Sequence, residues 1–320
     1  MRVVFWGTPE FATAPLRALL GEGFDVVGVV TQPDKAVGRS RSVLKPSPVK
    51  EVASAEGIPV LQPIRPRGDD AFRAEIAALA PDVSVVVAYG HILSAALIDL
   101  PRLGTLNIHA SILPALRGAA PIQAAIRDGL GETGVSIMQM VPALDAGPVL
   151  LTARTPVADD ETAGELALRL SELGSGALIE ALAMIELGVA RAVPQDESLA
   201  TYATKLSRDT ARVSWSGTAY EVARHVRAYD PRPAAWSRLK NGEVKLFGGR
   251  VAPRAPQHAA GEVIAIDANG MLVACGEGAV RIIAVQPSGK RRLTPSEWSN
   301  GRGVQVGDVF EGSGAPTRIA

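Results

Sequence analysis

Asn107 and His109 are separated by one residue, and on an extended strand that spacing sends both side chains to one face. A primary amide there can donate a hydrogen bond to a developing oxyanion. The imidazole beside it can donate a second bond or move a proton, and a carboxylate such as Asp145 can orient that imidazole. The three residues are framed by two loop sequences, His109-Ala110-Ser111-Ile112-Leu113-Pro114 and Leu144-Asp145-Ala146-Gly147. An Asn-x-His pair serves structural hydrogen bonding as readily as catalysis, and Asp145 before Gly147 also reads as a turn residue. The surrounding sequence has to decide.

The elements that would position these groups alternate between strand and helix. Arg2 to Trp6 is a short apolar strand, Phe11 to Gly21 has helical spacing, and Val26 to Thr31 is a second buried-type strand. Lys50 to Glu56 and Asp70 to Leu79 read as helices, Pro59 to Leu61 as a short strand, and Val83 to Ala88 as a β-branched core strand. This order predicts an α/β, Rossmann-like, mostly parallel sheet with helices on both faces. The turn Gly7-Thr8-Pro9-Glu10 lacks the spacing of a dinucleotide loop, and Glu10 would repel pyrophosphate, so nicotinamide and flavin are not expected. Glu161 to Leu187 reads as two helices, and Gln195 to Asp209 as a polar linker. Beyond a helix at Ala219 to Ala228, four short strands (Val244 to Phe247, Gly261 to Ile266, Met271 to Ala274 and Val280 to Val285) carry tight-turn signals at Asn241-Gly242 and Asn269-Gly270. They predict a smaller C-terminal β-barrel, OB-like in size. The expected division is residues 1–204 and 205–320, with a frayed end from Gly312 onward.

Composition narrows the classes. With 320 residues, 47% hydrophobic and 21% charged, the chain can bury a large core. No apolar run reaches the roughly 18 residues a membrane span needs, and no leader-like segment precedes the strand-like run at Val3, so a cytoplasmic protein is expected. Cys275 is the single cysteine, which excludes an internal disulfide and a multi-cysteine metal site. Lys plus Arg equals Asp plus Glu, 33 each, which argues against a uniformly basic surface but leaves room for local basic patches.

Three words, Asn107-Ile108-His109-Ala110-Ser111-Ile112-Leu113-Pro114, Arg117-Gly118-Ala119-Ala120-Pro121-Ile122-Gln123 and Leu144-Asp145-Ala146-Gly147-Pro148-Val149-Leu150, together resemble the 10-formyltetrahydrofolate-dependent formyltransferases. Phe5-Trp6-Gly7-Thr8-Pro9-Glu10-Phe11-Ala12, Gln32-Pro33-Asp34, Pro46-Ser47-Pro48-Val49-Lys50 and Gln286-Pro287-Ser288-Gly289-Lys290 resemble the branch whose acceptor is methionine on initiator tRNA. The likeness runs from Met1 to about Phe310. The chain departs from the family in carrying Ala115-Leu116 after the Leu-Pro and His91 after Ala88-Tyr89-Gly90. The resemblance implies catalytic roles for Asn107, His109 and Asp145. It also implies a folate site from Ser111, Ile112, Leu113 and Pro114 with Tyr89 in the pocket wall. No metal is expected, because the formyl group arrives activated. A monomer is the default.

Two basic features bear on the acceptor. Lys35, Arg39, Arg41, Lys45 and Lys50 fall in one loop without an acid, at the end of the second strand, where such sheets bind ligands. The resemblance implies that this loop engages the tRNA acceptor stem, with Arg39 as the first choice of contact and Arg41 the second. The other feature is Lys290, Arg291 and Arg292, which Lys205, Arg208, Arg212, Arg224, Arg227 and Arg232 would extend. Trp215, Trp236 and Trp298 are expected to pack rather than stack on bases, His225 to sit on a helix surface, and His258 in a loop. Two alternatives stay open: a relative that formylates an amino-sugar nucleotide or another small amine, and a tRNA-binding protein without catalysis.

Overall fold

Valine-rich segments without charge make the central strands, because a strand buried on both faces has no solvent side to mark with polar residues. Val83–Val87 is buried at every position, and so are Val3, Val4, Phe5 and Trp6 in the neighbouring strand Arg2–Gly7. Each of the valines and Phe5 contributes about 1.5–3 kcal/mol on full burial. The structure, a computed structural model, describes residues 1–37, 43–240, 242–252 and 258–311. It divides into two compact units. One comprises Met1–Gly118, Thr133–Thr155 and Ala167–Tyr202; the other comprises Ala119–Glu132, Pro156–Leu166 and the chain from Ala203 onward.

The first unit is built on a seven-stranded sheet. Its order in space is Val149–Pro156, Glu132–Gln139, Thr105–His109, Val83–Val87, Arg2–Gly7, Asp25–Val30 and Val60–Leu61. Thr105–His109, Val83–Val87, Arg2–Gly7, Asp25–Val30 and Val60–Leu61 run parallel, and Glu132–Gln139 pairs antiparallel with Thr105–His109. The sheet is therefore Rossmann-like and mostly parallel. The chain starts at Arg2–Gly7, builds outward on one side, then crosses to build on the other. That reversal is a switch point, and the crevice beyond the carboxyl ends of the strands there is the usual ligand site of such sheets.

The segment from Glu161 to Leu187, read as two helices, is one helix, Ala163–Glu186, of 24 residues. Leu166, Leu170, Ala177, Leu178, Ala181 and Leu182 keep a single buried stripe through it. Gly174 does not break the helix. It brings it close to the sheet, where an added Cβ would stand 3.0 Å from Ile108 Cγ2 and 3.3 Å from Val135 Cγ1. Ile108 thus faces the helix. Its neighbours Asn107 and His109 alternate to the opposite face of the sheet.

The second unit carries a five-stranded sheet in the order Ala235–Leu239, Gly242–Ala252, Ala279–Pro287, Gly270–Ala274, Val263–Asp267, antiparallel at every pairing. Phe310 bridges Leu239 at one edge and Val309 bridges Glu262 beside the other, so the two edges are joined as in a small barrel. Helix Ala219–Ala228, with a Thr218/Glu221 capping box, packs on it where Gly249 leaves room for Val226. Trp215, Trp236 and Trp298 are all buried; Trp215 stacks on Phe310 and donates to Ser237 Oγ at 3.0 Å. The Asn269-Gly270 turn is present, with Gly270 at φ 129°. Asn241 and the end from Gly312 lie outside the described residues.

His225 departs from the sequence expectation. It is packed in rather than displayed on the helix surface, its ring 4.7 Å from Tyr229 and its Nε2 buried without a partner. Burial pushes its pKa down to about 4. His258 pairs with Glu262 at 3.0 Å.

Candidate active site

All three catalytic candidates lie in the first unit. Thr105–His109 ends at the carboxyl edge of the parallel strands and presents Asn107 half-buried and His109 buried. Among the described residues the Asn107 carboxamide has no hydrogen-bond partner, so both its amide hydrogens remain available. His109 Nε2 lies 2.9 Å from the Leu116 carbonyl oxygen. A carbonyl can only accept, so Nε2 carries a hydrogen. The neutral ring then presents the lone pair of Nδ1 on its other side.

On that side stands Asp145, with Oδ2 3.7 Å from Nδ1. The distance exceeds a hydrogen bond. The Leu116 carbonyl, not Asp145, therefore orients the ring, and the carboxylate is placed to stabilise a proton that arrives on Nδ1. Asp145 Oδ2 accepts from the Gly118 amide at 2.8 Å. Asp145 itself sits at φ 48° and Leu116 at φ 57°, left-handed conformations that cost of order 1–3 kcal/mol each and gather at functional sites. Gly147 completes the turn, since a Cβ there would collide with the Gln139 carbonyl oxygen.

The strap between Leu116 and Gly118 is held by Arg117, only 1% exposed. Its guanidinium makes a bidentate pair with Glu197, at 2.8 Å from Nη1 and 2.8 Å from Nη2, and donates from Nε and Nη2 to Gln195 Oε1. The pairing holds the Glu197 carboxyl below the usual carboxylate range. Arg117, Gln195 and Glu197 were not singled out from the sequence. Arg117 stood in a family word without a role, and Gln195 and Glu197 fell in the segment read as a linker. The one signal was an arginine inside a motif with acid and amide partners in an aperiodic stretch.

The loop expected to hold folate is pinned beneath the strand. Ser136 Oγ donates to the Ser111 carbonyl at 2.8 Å and accepts from the Leu113 amide at 3.1 Å, and Ser111 Oγ donates to Ala115 O. Ser111 and Leu113 are buried, while Ile112 and Pro114 are half-buried. Tyr89 packs edge-on against Trp6, with ring centroids 5.4 Å apart, and its hydroxyl is buried with no partner among the described residues. That burial raises its pKa. His91 is exposed, 5.4 Å ring to ring from Tyr89.

The basic loop is partly a hairpin, Lys35–Val37 against Val43–Lys45. Lys35 and Lys45 are exposed and directly opposite each other, and among the described residues neither has an ion-pair partner. Like charges directly opposite are unfavourable unless an anion joins them. Lys50 is different. It lies in helix Pro48–Ala55 and is spent on Asp34 at 2.7 Å and Gln62 at 2.8 Å. Arg39 and Arg41 lie outside the described residues.

In the second unit Lys290 has no ion partner among the described residues. Arg291 pairs with Glu297 at 2.8 Å, and Arg292 lies over the Phe247 ring at 3.9 Å and 3.6 Å from Asp230. Arg208 and Arg212 lie over Trp236 and pair with Glu243 and Glu311; Arg227 is buried.

Among the described residues no group of three or more His, Cys, Asp or Glu could hold a metal ion, and no helix is long and apolar enough to cross a membrane.

Comparison with known proteins supplies the context for this geometry. Residues 1–182 match the family described as formyl transferase, and residues 205–303 match the formyl transferase C-terminal domain. The methionyl-tRNA formyltransferase of Pseudomonas paraeruginosa is 46% identical over 95% of this chain and 97% of its own length. That of Aromatoleum aromaticum is 47% identical over 97% of both. Among solved structures, HypX from Aquifex aeolicus in complex with tetrahydrofolic acid aligns over 93% of this chain with a TM-score of 0.65 and 20% identity. This chain spans about half, 46%, of that HypX chain. The N-formyltransferase from Helicobacter canadensis, in complex with folinic acid and dTDP-3-aminofucose, aligns over 91% with a TM-score of 0.66 and 15% identity. At these identities the structures show a shared fold. The two profile matches and the full-length relatives show more: the chain belongs to the formyl transferase family, among the methionyl-tRNA formyltransferases.

Proposed function

We propose that this enzyme transfers the formyl group of 10-formyltetrahydrofolate to the α-amine of methionine esterified to initiator tRNA. The observation that carries the chemistry is one cluster: an unpartnered Asn107 amide beside a His109 ring whose Nδ1 faces the Asp145 carboxylate at 3.7 Å. The acceptor amine has a pKa of roughly 8, lowered by its ester, so the free base is present near neutral pH. Its lone pair forms the new bond to the formyl carbon, and the carbonyl π pair moves onto oxygen. Asn107 donates to that oxyanion. The proton released from the attacking nitrogen passes to His109 Nδ1, where Asp145 stabilises the imidazolium; the oxyanion pair then re-forms the carbonyl as the bond from carbon to N10 breaks, and N10 leaves with that bond's pair and takes the proton.

The folate is the formyl donor, and the residues proposed to hold it are Ser111, Ile112, Leu113, Pro114 and Tyr89. Ile112 and Pro114 are the half-buried members of that set, open to contact with a flat heterocycle, while Tyr89 packs in the core against Trp6 and would back the site rather than touch its ligand. Lys35, Lys45 and Lys290, with Arg39 and Arg41, are proposed to contact tRNA phosphates. The unneutralised Lys35–Lys45 pair supports this reading. Arg291 and Arg292 have internal partners and are assigned a smaller share. Residues 1–204 would then carry the chemistry and 205–320 mainly the tRNA affinity. We take the enzyme to act as a monomer in the cytoplasm, since one chain supplies every candidate catalytic group and charged tRNA is its acceptor. The test is direct: supply 10-formyltetrahydrofolate with either methionyl-tRNA or an amino-sugar nucleotide and measure the formylated product. Formylation of the sugar nucleotide alone would overturn the assignment of acceptor.

A further inference from the structure

Gln195 spends its whole side chain on the two segments that frame the site. Oε1 accepts from Arg117 Nε at 3.0 Å and from Nη2 at 2.8 Å. Nε2 donates to the Asp145 carbonyl at 2.9 Å and to the Gly147 carbonyl at 2.7 Å. Two accepted and two donated bonds exhaust a primary amide, and the flipped orientation is excluded because guanidinium cannot accept and carbonyls cannot donate. Arg117 lies between Leu116, whose carbonyl holds His109 Nε2, and Gly118, whose amide holds Asp145 Oδ2. One end of Gln195 therefore fixes the strap that orients the imidazole. The other fixes the turn that carries the carboxylate, including Asp145 at its left-handed φ of 48°.

We infer that Gln195 is a positioning residue for formyl transfer: its amide ties the Arg117 strap to the Asp145 turn and so sets the separation of His109 Nδ1 from the Asp145 carboxylate. This rests on the catalytic roles proposed for His109 and Asp145. With its amide fully used by Arg117, Asp145 and Gly147, Gln195 has no hydrogen bond left for substrate. Its effect belongs to the geometry of the pair, and misplacement by about 1 Å is enough to cost about 100-fold in rate.

Gln195→Glu separates the two ends. It keeps both acceptors for Arg117 but replaces the two donors by a lone-pair-bearing oxygen against two carbonyls. Gln195→Met keeps the volume, adds no charge, and guards against misfolding of the first variant. Single-turnover formyl transfer, KM for both substrates and thermal midpoint are measured for each, in the wild-type and Asp145→Asn backgrounds, well below every midpoint. The expected result is a fall of about 20- to 100-fold in the single-turnover rate with both KM values within about threefold, shrinking to less than about threefold in Asp145→Asn. A merely structural brace would instead slow both backgrounds equally, and that result overturns the inference. So does a near-normal rate in Gln195→Met and Gln195→Glu while Asp145→Asn is impaired. Near-normal transfer by Asp145→Asn itself would remove the catalytic reading, and the inference with it.

Discussion

Acidification should expose His225 as a built-in weakness of the C-terminal unit. The ring packs against Tyr229 and its Nε2 has no partner; burial holds its pKa near 4, opposed by a backbone hydrogen bond with Ala211 and reinforced by the charge of Arg127. In the unfolded chain a histidine titrates near 6.5. The unfolded state therefore binds more protons between about pH 6.5 and pH 4, and stability falls as pH falls through that window. The difference of about 2.5 units corresponds to about 3 kcal/mol, fully present above pH 7 and gone below pH 4. That is a large part of the 5–15 kcal/mol typical of a domain. Urea unfolding at pH 7.5 and pH 4.5, followed by tryptophan fluorescence, reads this unit chiefly, because Trp215, Trp236 and Trp298 of the four tryptophans lie in it. His225→Phe and His225→Gln cannot take up the proton. Wild type should lose roughly 2–3 kcal/mol more than either variant between the two pH values. Equal losses in all three would show that the ring is protonated without cost in the folded protein, and the burial argument would fail.

Other changes have defined outcomes. Asn107→Ala should lower single-turnover formyl transfer by about 100- to 1000-fold with tRNA binding retained, because one oxyanion donor is gone; transfer within about threefold of wild type would remove Asn107 from that role. Replacing Lys35 and Lys45 together by Ala should weaken binding of methionyl-tRNA and flatten its dependence on salt, leaving the folate KM unchanged; an unaltered salt slope would take the hairpin out of phosphate contact. Arg292→Ala should lower the thermal midpoint more than Lys290→Ala does, because only Arg292 covers Phe247 and faces buried Asp230; equal midpoints would return Arg292 to the tRNA surface. Gly147→Ala should cost activity and stability together, since its Cβ has no space beside Gln139; a soluble, fully active variant would contradict the turn geometry.

The local words of the chain were enough for much of this. Four valines and a serine at 83–87, bounded by Pro81-Asp82 before and Gly90 after, read as a strand buried on both faces, and once 105–109 is a strand the spacing of Asn107 and His109 puts them on one face. Periodicity also located helix Ala219–Ala228 and the short C-terminal strands. Each of these depends on neighbours within one or two turns, and such neighbours are visible in sequence. The single helix Ala163–Glu186 was less legible, because Gly174 and Gly176 in a leucine-rich stretch look like a break until the sheet that Gly174 approaches is known.

What the fold alone decided are relations between distant residues. The sequence supplied Asp145 as a carboxylate, but the Leu116 carbonyl is what orients His109, leaving Nδ1 as the free base. Lys50 counted as one more loop cation until Asp34 and Gln62 were found to hold it. Gln195 and Glu197, in a stretch with no periodicity, return to clamp Arg117 across some eighty residues of chain. Residue types and short spacing fix which chemistry is possible. Distances of a few ångströms between segments far apart in sequence fix which hydrogen sits on which nitrogen, and only the packed sheet and its loops set those.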